Sequence, residues 1–414
     1  MKKSKYNYIV KNKYNVLIFN ALKSTCVVLD KKEYQDFIKI NKSSPNYQTF
    51  CDLGMYTPKD YKETDEVCFL SRVLAQKERR QFYRIYTTLN CNAKCPYCYE
   101  ASVAKFPMSM ETAKKVCDFI KDRMIPNTAV IIEWFGGEPM LNEKVIDYIT
   151  DTIKLECEKN GSDFYSYMIS NGYLFDKEKA TKAKEKWNLK NVQITLDGLK
   201  ETYERIKGFD KKDSFEKVIE NIKTLTDCGV RVNIRLNYDK HNFKEILSLI
   251  EYLGKEFSAN PSIHVYAKKI MHDKTNNSMN DSAKTDIIIL EKLISCGLVK
   301  LEKLIDSIPR RDNTCVAHIL SAFMILPNGD LGKCSQAAAK DDIVGNAITG
   351  AIDDRKLVRW CSPRLENKCL KCKLLPLCNG GCLYEKFLNK DFCFANQDFL
   401  KYKLKRYLDY TTKN

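Results

Sequence analysis

Two apolar rhythms alternate along most of this chain. Short, nearly continuous apolar runs are followed by longer stretches whose apolar residues recur at helical spacing, the patterns of buried strands and amphipathic helices. The predicted strands are Phe82–Leu89, Ala129–Phe135, Phe164–Ser170, Asn191–Leu196, Val230–Leu236 and Ser262–Lys268. The predicted helices are Met110–Met124, Glu143–Lys159, Lys177–Lys186, Ser214–Cys228, Phe243–Glu256 and Asp281–Cys296. Alternation of this kind predicts an α/β fold with a parallel sheet and crossover helices. No proline interrupts a predicted strand, as central strands require. Six such units make a partial (β/α)6 barrel of the TIM type.

The two ends follow other patterns. Residues 1–80 predict short strands at Tyr6–Val10, Asn15–Asn20 and Thr25–Leu29, then a helix opening at Asp30-Lys31-Lys32-Glu33. Ser43-Ser44-Pro45-Asn46 breaks that helix, and a second helix is expected from about Tyr61 to Lys77. Such a small α+β unit either offers a strand edge to a leader peptide or is a structural cap. After about residue 297 the alternation stops. A strand Ala322–Leu326, a turn at Pro327-Asn328-Gly329-Asp330 and a return strand to Cys334 follow. The expected units are therefore 1–80, 81–296 and a cysteine-rich extension 297–414.

Composition is that of a globular protein, 44% hydrophobic and 29% charged over 414 residues, except for eighteen cysteines. Met1-Lys2-Lys3-Ser4-Lys5 leads into no signal-like apolar run, and no apolar run approaches the ~20 residues that span a bilayer. The cysteines therefore read as reduced and metal-binding in a cytoplasmic protein. The formal charge of +16 comes from dispersed lysines and favours an anionic partner. It lacks the clustered bases with aromatics of a nucleic-acid groove, so neither nucleic acid nor membrane is expected as a partner.

Candidate chemistry falls in the loops. Cys91, Cys95 and Cys98 form C-x3-C-x2-C, with Tyr97 before the last cysteine. Three thiolates on a [4Fe–4S] cube would leave one iron open to a small molecule. Zinc, which favours four protein ligands, fits this triplet poorly. Gly136-Gly137-Glu138-Pro139, Ser170-Asn171-Gly172 and Thr195-Leu196-Asp197-Gly198 follow the next three strands. In a parallel barrel all four loops share the carboxyl rim, where sites form. The two glycines would let backbone approach a ligand and bond an ammonium group, with the Glu138 charge beside it. Asp197-Gly198 also reads as a simple strand-exit turn. In the extension stand Cys315, Cys334, Cys369, Cys372, Cys378, Cys382 and Cys393. Four cysteines within Cys369–Cys382 point to metal, with zinc a serious competitor because C-x2-C is also its pattern. Cys26, Cys51 and Cys68 lack ligand spacing and read as buried thiols.

The first triplet resembles the radical S-adenosylmethionine (radical SAM) superfamily, whose signature is C-x3-C-x-aromatic-C. The resemblance implies that Cys91, Cys95 and Cys98 hold a [4Fe–4S] cluster whose open iron is chelated by SAM. It further implies reductive cleavage of SAM to a 5′-deoxyadenosyl radical that abstracts hydrogen from a substrate. Gly136, Gly137, Glu138 and Pro139 resemble the motif that holds the SAM amino group; Ser170 and Asn171 lie on the same rim. Thr195 and Asp197 resemble the family's Ser-x-Asp-Gly, and Lys207 occupies the position of the arginine that pairs the SAM carboxylate, with Arg205 two residues earlier as the alternative cation.

The C-terminal cysteines resemble the SPASM extension, which carries two auxiliary [4Fe–4S] clusters. By the family's interleaved usage Cys315, Cys334 and Cys382 serve one, and Cys369, Cys372, Cys378 and Cys393 the other. The fourth position of the first is left open, to be filled by Cys361 or by a substrate thiolate. SPASM relatives imply a maturase of ribosomally made peptides that forms a thioether or other crosslink. The implied partners are a precursor peptide and a flavodoxin- or ferredoxin-type electron donor. The alternatives are a sulfatase-type maturase making formylglycine and a non-enzymatic metal-binding protein. Ser335 stands where the sulfatase branch places an Asp base and speaks against the first; the intact SAM-facing loops speak against the second.

Overall fold

A computed structural model describes residues 1–76, 80–210, 213–270, 279–309, 315–338, 342–362, 365–388, 393 and 396–412. The N-terminal unit runs β1 (Lys2–Lys3), β2 (Asn7–Lys11), β3 (Val16–Asn20), β4 (Thr25–Leu29), α1 (Lys31–Lys39), α2 (Tyr47–Asp52), β5 (Tyr56–Thr57) and α3 (Glu63–Gln76). The predicted helix end at Lys77 lies outside the described residues. Asp30 opens α1 with a reciprocal capping box: its side chain accepts from Glu33 N, and Glu33 accepts from Asp30 N. β2, β3 and β4 form an antiparallel sheet in that order. Every residue of the central β3 is buried. Val16 and Ile18 pack on Phe37, Phe50 and Tyr56; Leu17 and Phe19 face the opposite way, toward Tyr6, Tyr8 and the C-terminal helix. A strand buried on both faces needs this double set of apolar residues.

The next stretch runs β6 (Arg80–Thr88), α4 (Met110–Lys121), β7 (Ala129–Gly136), α5 (Glu143–Asn160), β8 (Asp163–Ser170), α6 (Lys177–Glu185) and β9 (Leu189–Leu196). It continues with α7 (Lys200–Lys207), α8 (Ser214–Asp227), β10 (Arg231–Tyr238), α9 (Phe243–Phe257), β11 (Ile263–Lys269) and α10 (Met279–Ser295). The C-terminal part adds β12 (Ala322–Ile325), β13 (Asp330–Gly332), α11 (Ser335–Ala338), β14 (Gly345–Asn346), α12 (Asp354–Cys361), α13 (Asn367–Lys371), α14 (Leu375–Cys378), α15 (Leu383–Phe387) and α16 (Gln397–Thr411).

β6 to β11 are successive parallel neighbours, as the alternation predicts. The sheet does not stop there. β12 pairs parallel to β6, and β13 and β14 follow antiparallel, so the C-terminal chain prolongs the barrel sheet. On each central strand, alternate residues enter one apolar core beneath the helices: Val130, Ile132 and Trp134; Val192, Ile194 and Leu196; Val232, Ile234 and Leu236. The intervening residues, among them Glu133, Gln193, Thr195 and Arg235, line the concave face. There Tyr86, Leu89, Phe135 and Met324 form a separate apolar patch.

Several helices fall outside the predicted set, among them α2, α7, α12 and α16. α7 is mostly polar and is anchored by burying Thr202, Tyr203 and Lys207. α16 buries Leu400, Leu404 and Leu408 against the N-terminal sheet and Leu374–Leu375. It thereby ties the two ends of the chain together. Among the described residues no helix is long and apolar enough to cross a membrane.

Candidate active site

The Cys91–Cys98 loop leaves β6 at Thr88 and contains no regular element. Cys91 and Cys98 are exposed and Cys95 half-buried. Burial pushes the Cys91 thiol up to about 11, with Cys95 and Cys98 adding to the rise and the Ala93 N–H opposing it. The three thiols therefore bear on one another at the barrel rim.

The loop is held in place by the three other motifs. Gly136 has φ +118°, and a Cβ there would stand 2.1 Å from the Thr88 carbonyl oxygen; one on Gly137 would stand 2.2 Å from that of Asn90. Gly137 N donates to Thr88 O at 3.0 Å and Glu138 N to Asn90 O at 2.9 Å. The glycines are thus required by the close approach of one loop backbone to another. Glu138 is fully buried. Its carboxylate accepts from Ser170 Oγ at 2.9 Å, Asn171 N at 2.8 Å and Met140 N at 3.2 Å. Burial pushes its pKa up to about 7, against the pull of these bonds. Pro139 opens a short 3-10 turn, and its carbonyl accepts from Thr87 Oγ1 at 3.1 Å. Asn171 Nδ2 donates to Asn92 Oδ1 at 2.7 Å, with Cys91 Sγ 4.0 Å away.

A second brace comes from β9. Asp197 is fully buried and Lys207 2% exposed, and Lys207 Nζ lies 3.0 Å from Asp197 Oδ2. Tyr97 OH, beside Cys98, donates to Asp197 Oδ1 at 2.7 Å. Lys207 Nζ also lies 3.3 Å from Thr195 Oγ1, while its carbonyl accepts from Lys94 N at 2.6 Å. Burial opposes the lysine charge, but Asp197, Tyr97 and Cys95 outweigh it and hold the ammonium well above its ordinary value. Both Glu138 and Lys207, singled out above for the SAM amino and carboxylate groups, thus have protein partners that fasten the cysteine loop.

The seven C-terminal cysteines gather in two groups. Beyond burial, Cys315 and Cys382 raise the Cys334 thiol, and Cys382 raises that of Cys315. Burial pushes Cys378 up to about 11, with Cys372, Cys369 and Cys393 adding to it. Cys361 and Cys315 both act on Lys333. Burial raises the Cys361 thiol, and Lys333, its neighbour, lowers it. Lys333 is itself fully buried. Its Nζ donates to the carbonyls of Ile319 and Ala322 at 2.5 Å each, and burial pulls its pKa down to about 8.

One local device recurs at these cysteines. The sulfur accepts a backbone N–H from two residues ahead: Ala93 to Cys91 at 3.4 Å and Leu374 to Cys372 at 3.4 Å. Such donors stabilise a thiolate, the form that binds metal. After Cys378 the turn is forced by Asn379, Gly380 and Gly381, at φ +48°, +84° and +89°. The donor set suits iron–sulfur ligation better than a lone zinc ion. Four sulfurs around zinc would stand roughly 3.8 Å apart. Among the described residues only Glu204, Asp213 and Glu216 bring three ligand atoms within 4.8 Å of one another, and Lys200 already pairs with Asp213 and Glu216 at 2.6 and 2.9 Å.

The motif reading missed the hydroxyl of Tyr97, which it took only as an aromatic, and Asn92. It also missed Arg84, which pairs with Glu133 and donates to Ser335 Oγ at 2.7 Å. A charged pair facing inward on adjacent strands was the available signal.

Residues 85–256 match the radical SAM superfamily. The chain is 28% identical over 172 residues to Fe-coproporphyrin III synthase of Methanosarcina barkeri, covering 41% of this chain and 40% of that protein. It is 26% identical over 331 residues to the subtilosin biosynthesis protein AlbA of Bacillus subtilis, covering 73% and 67%. A protein of Methanocaldococcus jannaschii, MJ0907, is 32% identical over 315 residues, covering 74% and 95%. The chain spans only 40% to 51% of the first two curated relatives it matches. Two solved structures share the fold. The AdoMet-bound anSMEcpe has a TM-score of 0.59 at 18% identity, covering 81% of this chain and 97% of its own. Streptococcus suis SuiB, bound to precursor peptide SuiA, has a TM-score of 0.55 at 15% identity, covering 96% and 99%.

Proposed function

The chain belongs to the radical SAM superfamily, and on that premise we propose that it modifies a ribosomally made precursor peptide, forming a thioether or other crosslink. Membership implies SAM and a [4Fe–4S] cluster. The observation that carries the reading is the bracing of the loop that bears Cys91, Cys95 and Cys98, at Asn92 by Asn171 and at Tyr97 by Asp197. When bound, cluster and SAM together supply a 5′-deoxyadenosyl radical that takes hydrogen from the peptide.

The chain's own residues would do the following. Cys91, Cys95 and Cys98 hold the cluster and leave one iron free. Gly136, Gly137, Glu138 and Pro139 shape the loop facing the SAM amino group, and Ser170 and Asn171 anchor it. Thr195 presents a hydroxyl, and Asp197 and Lys207 keep the rim rigid and charged. Cys315, Cys334 and Cys382 would hold one auxiliary cluster; Cys369, Cys372, Cys378 and Cys393 would hold a second. The peptide reading is supported by AlbA and by SuiB with its precursor. It is supported too by the N-terminal sheet, whose β4 pairs with β3 alone among the described strands. That free edge suits strand addition by a leader peptide. Ser335 Oγ, accepting from Arg84, offers no carboxylate for formylglycine chemistry. A flavodoxin- or ferredoxin-type protein is the proposed donor, since the basic surface favours an acidic partner.

The test is co-expression with a short open reading frame encoded nearby, followed by peptide mass measurement. A peptide lighter by two hydrogens per crosslink supports the reading. An unmodified peptide beside an enzyme that releases 5′-deoxyadenosine would overturn the peptide assignment.

A further inference from the structure

Tyr8 lies on β2 with its ring in the apolar cluster that also packs Leu374, Leu375, Cys369 and Cys372. It is 3% exposed, and its hydroxyl has no hydrogen-bond partner among the described residues. A buried phenol O–H without an acceptor is costly and rare, and marks a place where an acceptor is to be expected. Lys373, next in the chain to Cys372, sets its Nζ 6.0 Å from the centre of the Tyr8 ring, so the ring lies against the Cys369–Cys378 segment. Cys369 and Cys372 pack against the same apolar cluster and offer sulfur as an acceptor. Neutral thiols are weak acceptors, whereas thiolates and sulfides carrying cluster charge are much better ones.

We propose that Tyr8 donates its hydroxyl hydrogen bond to the sulfur of an iron–sulfur cluster held by Cys369, Cys372, Cys378 and Cys393, so that the N-terminal unit tunes that cluster's reduction potential. This rests on the proposed ligand role of those four cysteines. A donor aimed at sulfur stabilises the more negative, reduced cluster and raises its potential. The loop supplies backbone donors such as Leu374 N to Cys372 Sγ; the phenol comes from elsewhere. It arrives from a strand at the opposite end of the chain, docked by α16 through Leu400, Leu404 and Leu408.

The test compares full-length wild type with Tyr8→Phe, both reconstituted anaerobically, by iron content and by redox titration followed with electron paramagnetic resonance. The relevant signal is the one lost in Cys378→Ala. Tyr8→Phe keeps the ring and is expected to keep full iron. At the wild-type midpoint its reduced-to-oxidised ratio for that signal should fall about two- to tenfold, the weight of one net hydrogen bond. Tyr6→Phe, also buried and unpartnered at its hydroxyl and in the same apolar cluster, but acted on by Thr64 and Glu63 ahead of Cys372, should move it less. An unchanged potential in iron-replete Tyr8→Phe, a larger shift in Tyr6→Phe, or loss of that cluster in Tyr8→Phe would overturn the inference and leave the proposed activity standing. Wild type with no signal lost in Cys378→Ala would overturn the ligand assignment beneath it.

Discussion

Two cysteine-bearing regions of this molecule are stabilised by different means. Between Leu89 and Glu100 the chain has no helix or strand, and groups that are not candidate ligands fix it from three other strands: Gly136–Glu138, Asn171 and the Tyr97–Asp197–Lys207 set. From Cys369 to Cys382 the chain instead folds on itself through the short helices α13 and α14 and three left-handed residues. That lobe is then packed from outside by apolar side chains of the N-terminal sheet. The difference follows from what each region has to do. On the proposed ligand assignments, a cluster that keeps one iron for SAM would have only three ligands to position it, so its loop would need outside bracing. A fully ligated cluster helps to hold its own loop.

The strongest challenge to the comparison is Cys95→Ala. It should remove one cluster, leave the C-terminal iron in place, and lower 5′-deoxyadenosine release by more than about 10³-fold. That exceeds the 10- to 100-fold cost of losing a mere supporting partner. Iron analysis beside a deoxyadenosine assay reads both. Next comes Lys207→Met, which strands the buried Asp197 charge. Breaking one side of a buried pair costs about 3–5 kcal/mol, so thermal unfolding should fall clearly, and Asp197→Asn in the same chain should recover part of the loss. If instead only SAM affinity changes, Lys207 serves the ligand and not the loop.

Glu138 sharpens the comparison through pH. Its folded value, about 7, exceeds the ordinary 4.5, so the folded protein keeps a proton that the unfolded chain releases between those values. This contribution to stability is complete below pH 4.5 and is lost as pH rises through 7. The loss is on the order of 3 kcal/mol. Glu138→Gln should flatten that slope in denaturant titrations of SAM-free protein. The smallest effect is expected for Cys361→Ser. With Lys333 as its neighbour, it should leave the iron content unchanged and stability within about 1 kcal/mol. Loss of iron would make Cys361 a ligand and merge the two modes of support.

Much of this was legible in the linear chain. Strand identity followed from runs such as Val130, Ile132 and Trp134, because a buried parallel strand must be apolar on its helix-facing side whatever its neighbours. The rim motifs were legible because βα loops of a parallel sheet share one end. The glycines of Gly136-Gly137 were visible but their reason was not. They admit the backbone of Thr88 and Asn90, a contact between segments far apart in sequence. α7 escaped because burial of Tyr203 and Lys207 stabilises a mostly polar helix, whereas α16 carries Leu400, Leu404 and Leu408 at helical spacing and was legible but passed over.

The amino-acid order alone determined the alternation of strands and helices and the spacing of the cysteines, since these rest on local backbone and side-chain preference. Tertiary structure decided which charges were available to a ligand and which were spent. It set Lys207 against Asp197 and Tyr97, Glu138 against Ser170 and Asn171, and Tyr8 against the Cys369–Cys378 segment. Partner choice for a buried polar group is set by what folding brings within hydrogen-bond reach, and no reading of neighbours along the chain contains that distance.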